Sequence, residues 1–228
     1  MLVGDVPTRL YAPGGAGGLL ILGHGGGHSK DGERFVGLSR RYADQTGLAV
    51  VCIDAVDHGE RRPAAAADGL PSGWHSRTIP RMVADWQRVV DDLWSVGPAV
   101  AYVGFSMGAL FGFATVASIP TIATAVFVVG GIPRGGWTDD ADLGPGLFRA
   151  AGGLGGAHVL MLNKDGDELF DSQDVRRLFE SIAARSKKLQ FFRGGHDEWG
   201  PDLIDASISF LTEHVASAKD PTHPPPSG

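Results

Sequence analysis

The chain has 228 residues, of which 43% are hydrophobic and 20% charged, a composition typical of one soluble globular domain with a sizeable core. Its formal net charge of -6 argues against a nucleic acid or an anionic membrane as partner. A single cysteine, Cys52, excludes an internal disulfide, and since neither a signal pattern nor an apolar span of about 18 residues is present, we expect a cytoplasmic protein.

Strand-like and helix-like stretches alternate along most of the chain. Residues 1–12 predict a short strand or hairpin, and Leu19 to Leu22 predicts the first buried strand. Further strands are predicted at 48–53, 99–103, 121–129, 158–162 and 188–192, and helices at 35–46, 79–96, 109–118, 171–184 and 201–218. The alternation predicts an α/β fold with a mainly parallel, doubly wound sheet and helices on both faces. Functional sites in such sheets lie beyond the carboxyl ends of the strands.

We expect one domain over residues 1–218. The tail, residues 219–228, is rich in proline and lacks apolar anchors, so it is predicted to be disordered. The glycine-rich segment 130–156 is where a lid would sit, and its shortness predicts a minimal one. Trp137 and Phe148 within it could equally be walls of an acyl pocket or core residues.

The most informative stretch is Gly104-Phe105-Ser106-Met107-Gly108, which lies between a predicted strand and a predicted helix. A Gly-x-Ser-x-Gly turn in this context presents its serine as a nucleophile elbow. The two glycines lack the side chains that would collide with the neighbouring strand and helix. Although 34 glycines make a chance match a real alternative, the strand before and the helix after favour a catalytic Ser106.

A second glycine-rich stretch, Gly23 to His28, follows the strand at Leu19 to Leu22. Consecutive glycines let backbone N–H groups approach an anion closely, which suits an oxyanion-hole donor. The stretch lacks the phosphate-loop and dinucleotide patterns. His24 and His28 could suggest a metal, but no third ligand lies near, so we predict no metal site and a loop-holding role for His24.

A nucleophilic serine needs a base, and the base needs an orienting carboxylate. His196 follows the last predicted strand, and both Asp165 and Asp167 follow the strand before it. His58, after the strand at 48–53, is a less favoured base, and we prefer a loop-fixing role for it. The residue types therefore predict a serine triad with the acid still open.

The chain resembles the α/β-hydrolase superfamily, in particular small, nearly capless serine esterases of the dienelactone-hydrolase-like and prolyl-oligopeptidase-like kind. The resemblance rests on five stretches: His24-Gly25-Gly26-Gly27, Asp54 to Arg61, the Ser106 elbow, Asp167 and Gly195-His196. The resemblance implies an α/β-hydrolase fold and a triad of Ser106, Asp167 and His196.

The same resemblance implies oxyanion donors at the backbone N–H groups of Gly26 and Met107, with Gly27 as an alternative to Gly26. The candidate substrate-binding residues are Gly27, Phe105, Trp137 and Trp199. The family's chemistry needs no cofactor.

The function expected from these residues is hydrolysis of small to medium carboxylic esters, the substrate being a small molecule. An acyltransferase with the same triad is an alternative, as is a non-catalytic binding protein on the same fold. A peptidase is less favoured, because the sequence has no propeller or large cap. Neither the preferred ester nor the oligomeric state can be read from the chain.

Overall fold

The computed structural model describes residues 1–63, 75–135 and 138–218. Within these ranges the chain forms eight strands, six α-helices and two short 3-10 helices. The strands are β1 (Leu2–Val3), β2 (Val6–Tyr11), β3 (Leu19–Gly23), β4 (Ala49–Ile53), β5 (Ala99–Phe105), β6 (Thr124–Val128), β7 (His158–Lys164) and β8 (Ser186–Phe192). The helices are α1 (Glu33–Thr46), α2 (Ile79–Asp92), α3 (Met107–Ser118), α4 (Leu143–Ala151), α5 (Ser172–Ser181) and α6 (Pro201–Ala218).

All eight strands form one sheet in the order β1-β2-β4-β3-β5-β6-β7-β8. Strands β3 to β8 are parallel, whereas β2 pairs antiparallel with β4 and β1 antiparallel with β2. The mainly parallel sheet predicted from the alternating pattern is therefore confirmed. Since β5 lies between β3 and β6, the loop that follows it emerges near the middle of the carboxyl edge.

Helices cover both faces of this sheet, as predicted. Apolar residues of α1 and α6 pack with one face of the strands, through side chains such as Phe35, Tyr42 and Leu211. Helices α2 to α5 pack on the other face, through side chains such as Trp86, Phe113 and Leu178. Strands β3, β4 and β6 are buried along their whole length because both their faces are covered.

The segment 130–156, for which a minimal lid was expected, contains a packed helix and shows no evident lid in its described part. Helix α4 contacts α3 and α5 and buries Leu143, Leu147 and Ala151. Phe148 on the outer side of α4 is 38% exposed, so of its two predicted roles, pocket wall or core residue, the second is wrong.

Trp137, the second aromatic residue considered in this segment, lies outside the described residues, as does the tail 219–228. Among the residues that the structure describes, no helix is both long and apolar enough to cross a membrane.

Candidate active site

Ser106 lies at the sharp turn between β5 and α3. Its backbone has φ of 52° and ψ of -113°, a strained conformation for a residue with a side chain. The turn is fixed on both sides: the Ser106 N–H donates to the Val128 carbonyl at 2.8 Å, and the Ser106 carbonyl accepts from Ala109 and Leu110 in α3. The strain at one residue is thus held by the strand pairing and by the helix.

Glycine is required where α3 crosses the sheet beside Ser106. A Cβ atom on Gly108 would lie 2.3 Å from the carbonyl oxygen of Gly23, and one on Gly104 would lie 2.4 Å from the carbonyl oxygen of Gly108. The Gly108 carbonyl also accepts a hydrogen bond from the buried Tyr102 hydroxyl at 2.6 Å. The start of α3 is thereby pressed against β3 and β5.

Three side chains from three different loops form a hydrogen-bonded chain. His196 Nε2 lies 2.8 Å from Ser106 Oγ, and His196 Nδ1 lies 2.9 Å from Asp167 Oδ2. All three residues are buried. Because a carboxylate only accepts hydrogen bonds, Nδ1 carries the proton, and Nε2 keeps a lone pair for the Ser106 hydroxyl. The arrangement can therefore take a proton from Ser106.

The two candidate carboxylates after β7 have different surroundings. Asp167 is buried, and its Oδ1 accepts from the backbone N–H groups of Leu169 and Phe170 at 2.8 and 3.0 Å, which leaves Oδ2 directed at His196. Asp165 is exposed and accepts from the N–H of Gly194 at 3.2 Å. The structure thus brings Asp167, and not Asp165, to the histidine.

His24 fixes the start of the glycine-rich loop. Its Nε2 accepts from the Ala55 N–H at 2.9 Å, so its Nδ1 carries the proton and donates to the Gly25 carbonyl at 2.8 Å. Burial lowers the pKa of His24 to about 4, so the ring is neutral at pH 7. Both nitrogens are occupied by the backbone, which matches the predicted loop-holding role.

Of the two proposed oxyanion donors, Gly26 lies in this loop and Met107 lies in the elbow. Met107 is the first residue of α3, where a backbone N–H has no acceptor within the helix and the helix dipole favours negative charge. The Gly25 carbonyl accepts from both His24 and the His28 N–H, which fixes the peptide plane that carries the Gly26 N–H. Gly27 is exposed, with φ of 74°.

The model of the alpha/beta hydrolase family matches residues 19–227. This chain belongs to the alpha/beta hydrolase family. A search of curated proteins found no match.

Solved structures resemble this hydrolase over nearly its whole length. A cold-adapted esterase from an Arctic intertidal metagenomic library has a TM-score of 0.78 at 26% identity, covering 92% of this chain and 88% of that one. The monoacylglycerol lipase of Paleococcus ferrophilus has a TM-score of 0.70 at 17% identity, covering 92% and 99%. A dienelactone hydrolase from Anabaena variabilis has a TM-score of 0.66 at 20% identity, covering 95% and 94%. The last two show the shared fold alone.

Of the two aromatic rings expected to bind substrate, that of Phe105 is enclosed in the core of the hydrolase. Phe105 is fully buried, and its ring packs 4.7 Å from that of Trp199, so it offers no surface to a substrate. Its place follows from strand alternation, which turns the residue before Ser106 into the core.

The indole of Trp199 is partly buried and lies beside the backbone of His196. Its Nε1–H donates to the His196 carbonyl at 2.7 Å, and the Arg34 guanidinium lies 4.6 Å from the ring centre. A Cβ atom on Gly25 would lie 3.5 Å from the ring, so the indole also borders the glycine-rich loop. Trp199 therefore contacts both the His196 backbone and the glycine-rich loop, and its role in substrate binding stays a prediction.

Sequence reasoning missed the residues that hold the far end of the glycine-rich loop. Lys30, only 2% exposed, pairs with Asp31, Asp54 and Glu60. Although burial disfavours its charge, hydrogen bonds from its ammonium group to Asp31 and Glu60 raise the pKa of Lys30 above its ordinary value. Asp54 also accepts from the Lys30 N–H at 2.9 Å, so the loop is tied to the end of β4 at both its ends.

Sequence reasoning also missed Glu168, whose carboxylate accepts from the His196 N–H at 3.1 Å. The only available signal was an acid directly after Asp167. His58, considered as a base, instead donates from Nδ1 to the Val56 carbonyl at 2.8 Å, and burial lowers its pKa. This contact agrees with the preferred interpretation, in which His58 fixes the loop after β4 and is not the catalytic base.

Proposed function

We propose that this α/β hydrolase is a serine esterase that cleaves small to medium carboxylic esters through an acyl-enzyme. The observation that carries the proposal is the buried hydrogen-bonded chain of Ser106, His196 and Asp167 at the carboxyl edge of the sheet. The esterase that is 26% identical over nearly the whole chain supports the same reaction class.

In the first half-reaction, Ser106 Oγ forms a bond to the ester carbonyl carbon while its proton passes to His196 Nε2. Asp167 holds the ring orientation and stabilises the imidazolium. The N–H groups of Met107 and Gly26 stabilise the negative oxygen of the tetrahedral intermediate, each donor contributing about 3 kcal/mol. The carbon–oxygen bond to the alcohol then breaks, and His196 returns the proton to the leaving oxygen.

In the second half-reaction, water replaces the alcohol. His196 Nε2 takes a proton from water, and the hydroxide oxygen bonds to the acyl carbon. Collapse of this intermediate breaks the bond to Ser106 and returns the proton to its Oγ. The products are a carboxylic acid and the free enzyme, and each proton taken is given back.

The test compares p-nitrophenyl esters of increasing acyl length with the wild type and Ser106→Ala. We expect kcat to fall by at least about a thousandfold in Ser106→Ala, because the residual stabilisation by oxyanion donors cannot replace the nucleophile. Ser118→Ala, an exposed serine on the same helix, is the control and should retain activity. Turnover that survives Ser106→Ala would refute the proposal.

A further inference from the structure

The glycine-rich loop, residues 24–32 between β3 and α1, is anchored at both ends to two consecutive residues that follow β4. At the first anchor, His24 Nε2 accepts from the Ala55 N–H at 2.9 Å. At the second, the Lys30 N–H donates to Asp54 Oδ1 at 2.9 Å. Because the Cα atoms of neighbouring residues lie about 3.8 Å apart, both anchors meet the end of β4 at nearly the same place. The part of the loop between them is therefore a closed arch.

The top of this arch is a tight turn that leaves one backbone donor unused. The Gly25 carbonyl accepts from the His28 N–H at 3.2 Å, and Gly27, at the third position of the turn, has φ of 74°, as a type II turn requires. The Gly26 N–H, at the second position, takes no part in the turn, and it has no acceptor among the residues that the structure describes. It is thus available to an oxyanion, and its direction depends on how the arch is held.

The arch lies directly against the nucleophile elbow. A Cβ atom on Gly25 would lie 3.6 Å from the carbonyl oxygen of Phe105, the residue before Ser106. A Cβ atom on Gly108 would lie 2.9 Å from the His24 carbonyl oxygen. Any shift of the arch therefore moves its backbone relative to Ser106.

Asp54, which holds the second anchor, is itself fixed in place. It is fully buried, and its Oδ2 accepts from the Glu60 N–H at 3.0 Å. A Cβ atom on Gly59 would lie 2.3 Å from Asp54 Cγ, so the carboxylate occupies space that only a glycine leaves free. Lys30 Nζ lies 3.3 Å from Asp54 Oδ2 and supplies the opposite charge. The loop is therefore joined to the end of β4 by a backbone hydrogen bond and by a buried ion pair.

Lys30 is linked to the reacting groups only through the backbone of the loop. Its ammonium group also bonds to Asp31 and Glu60, whose side chains are 41% and 61% exposed, so Asp54 is the partner most removed from water. None of the bonds that the described residues make with Lys30 involves Ser106 or His196. Without the ammonium group, the buried carboxylate of Asp54 has no counter-ion, which favours release of the second anchor.

We propose that the buried ion pair of Lys30 and Asp54 positions the Gly26 N–H to stabilise the oxyanion formed at Ser106. The inference rests on the proposed esterase function and adds two positioning residues to it. An oxyanion donor acts on the transition state more than on the bound ester, so a displaced Gly26 lowers kcat and leaves KM nearly unchanged. Removal of a whole donor costs about 100- to 1000-fold in kcat, and we expect about 10- to 100-fold for a displaced one.

The experiment compares p-nitrophenyl acetate with its thionoester, in which sulfur replaces the carbonyl oxygen. Sulfur is a weak hydrogen-bond acceptor, so the oxyanion donors contribute less to turnover of the thionoester. Lys30→Met keeps a side chain of similar length without the charge. We expect it to lower kcat for the acetate about 10- to 100-fold and kcat for the thionoester by less than about threefold. Lys30→Arg keeps the charge and should recover at least part of the acetate turnover.

Lys188→Met makes the same replacement at an exposed position of the edge strand β8 and should change neither rate. If Lys30→Met does not fold, Asp54→Asn removes the other charge of the pair and is measured in the same way. An unchanged ratio of the two rates in a folded variant overturns this inference alone, provided that turnover depends on Ser106. Absent turnover of every ester, or turnover that survives Ser106→Ala, overturns the proposed function and this inference with it.

Discussion

His196 is oriented by contacts to its backbone as well as to its ring. Glu168 accepts from its N–H, and the Trp199 indole donates to its carbonyl. Neither contact reaches the imidazole, but both fix the short segment from which the ring extends. Trp199 is on these grounds a positioning residue for the proposed base.

Replacing Trp199 with phenylalanine removes the indole N–H and keeps most of the ring packing. We expect kcat to fall by about five- to tenfold with little change in KM, because a lost hydrogen bond of about 1 kcal/mol lets His196 leave its reactive orientation. Steady-state kinetics with an ester, together with the rate at which an organophosphonate labels Ser106, measure the effect.

Trp94→Phe is the matched control, since Trp94 is 60% exposed. A Trp199→Phe enzyme with unchanged kcat and labelling rate would show that the bond to the His196 carbonyl does not position the base. A changed KM alone would point instead to contact with substrate.

For individual residues, the sequence predicted which side chains belong to the site better than it predicted how they are oriented. Ser106, Asp167 and His196 were named from a motif, from chain order and from resemblance, and the structure brings all three together. Phe105 was also named as a candidate substrate-binding residue, but the structure encloses its ring between Phe35 and Trp199. These neighbours belong to distant parts of the chain, and no local pattern shows which side of the ring is covered.

Among the elements, the contact of α3 with β3 leaves no room for added volume. Gly108→Ala places a methyl group 2.3 Å from a backbone oxygen that cannot rotate away, so the helix must shift. We expect a loss of about 2–3 kcal/mol in the free energy of unfolding, with a loss of ester turnover because Ser106 and Met107 move with the helix. Urea unfolding and p-nitrophenyl acetate hydrolysis measure the two effects.

Gly37→Ala provides the comparison, because Gly37 lies inside α1 with no atom within 4 Å of its added Cβ. This variant should gain about 0.5–1 kcal/mol from helix propensity. Equal stability changes for the two glycines would contradict the close packing at Gly108.

The predicted strands and helices agree with the structure in number and order except at α4. Periodic apolar residues identified the others, since each packs one face on the sheet. Helix α4 has the sequence Leu-Gly-Pro-Gly-Leu-Phe-Arg-Ala-Ala, in which glycine and proline hide the helical pattern. Its proline lies in the first turn, where a helix does not need the missing backbone donor. Packing against α3 and α5 then stabilises the helix despite the low helix propensity of its sequence.

For the whole molecule, buried neutral histidines make stability depend on pH. The pKa of His24 is about 4 in the folded protein and about 6.5 when unfolded, so the unfolded chain binds the proton first as the pH falls. The contribution of His24 to the free energy of unfolding is therefore fully present above about pH 6.5. It falls by about 3 kcal/mol as the pH is lowered to 4. Burial lowers the pKa of His58 in the same direction.

His24→Gln removes this titration. We expect the variant to be less stable than the wild type at pH 7 and the difference to shrink as the pH falls to 4. The free energy of unfolding in urea, measured at several pH values for both proteins, checks the sign. Parallel curves would show that His24 is not the buried neutral group described above.

The fully enclosed thiol of Cys52 has a practical consequence for spectroscopy. Cys52 is 0% exposed within β4, and burial raises its pKa well above the ordinary value, so the reactive thiolate is scarce in the folded protein. As it is the only cysteine in the chain, the natural sequence already serves as an unreactive background for site-directed labelling. A fluorophore or spin label attached to a cysteine introduced on the surface would then report from one position.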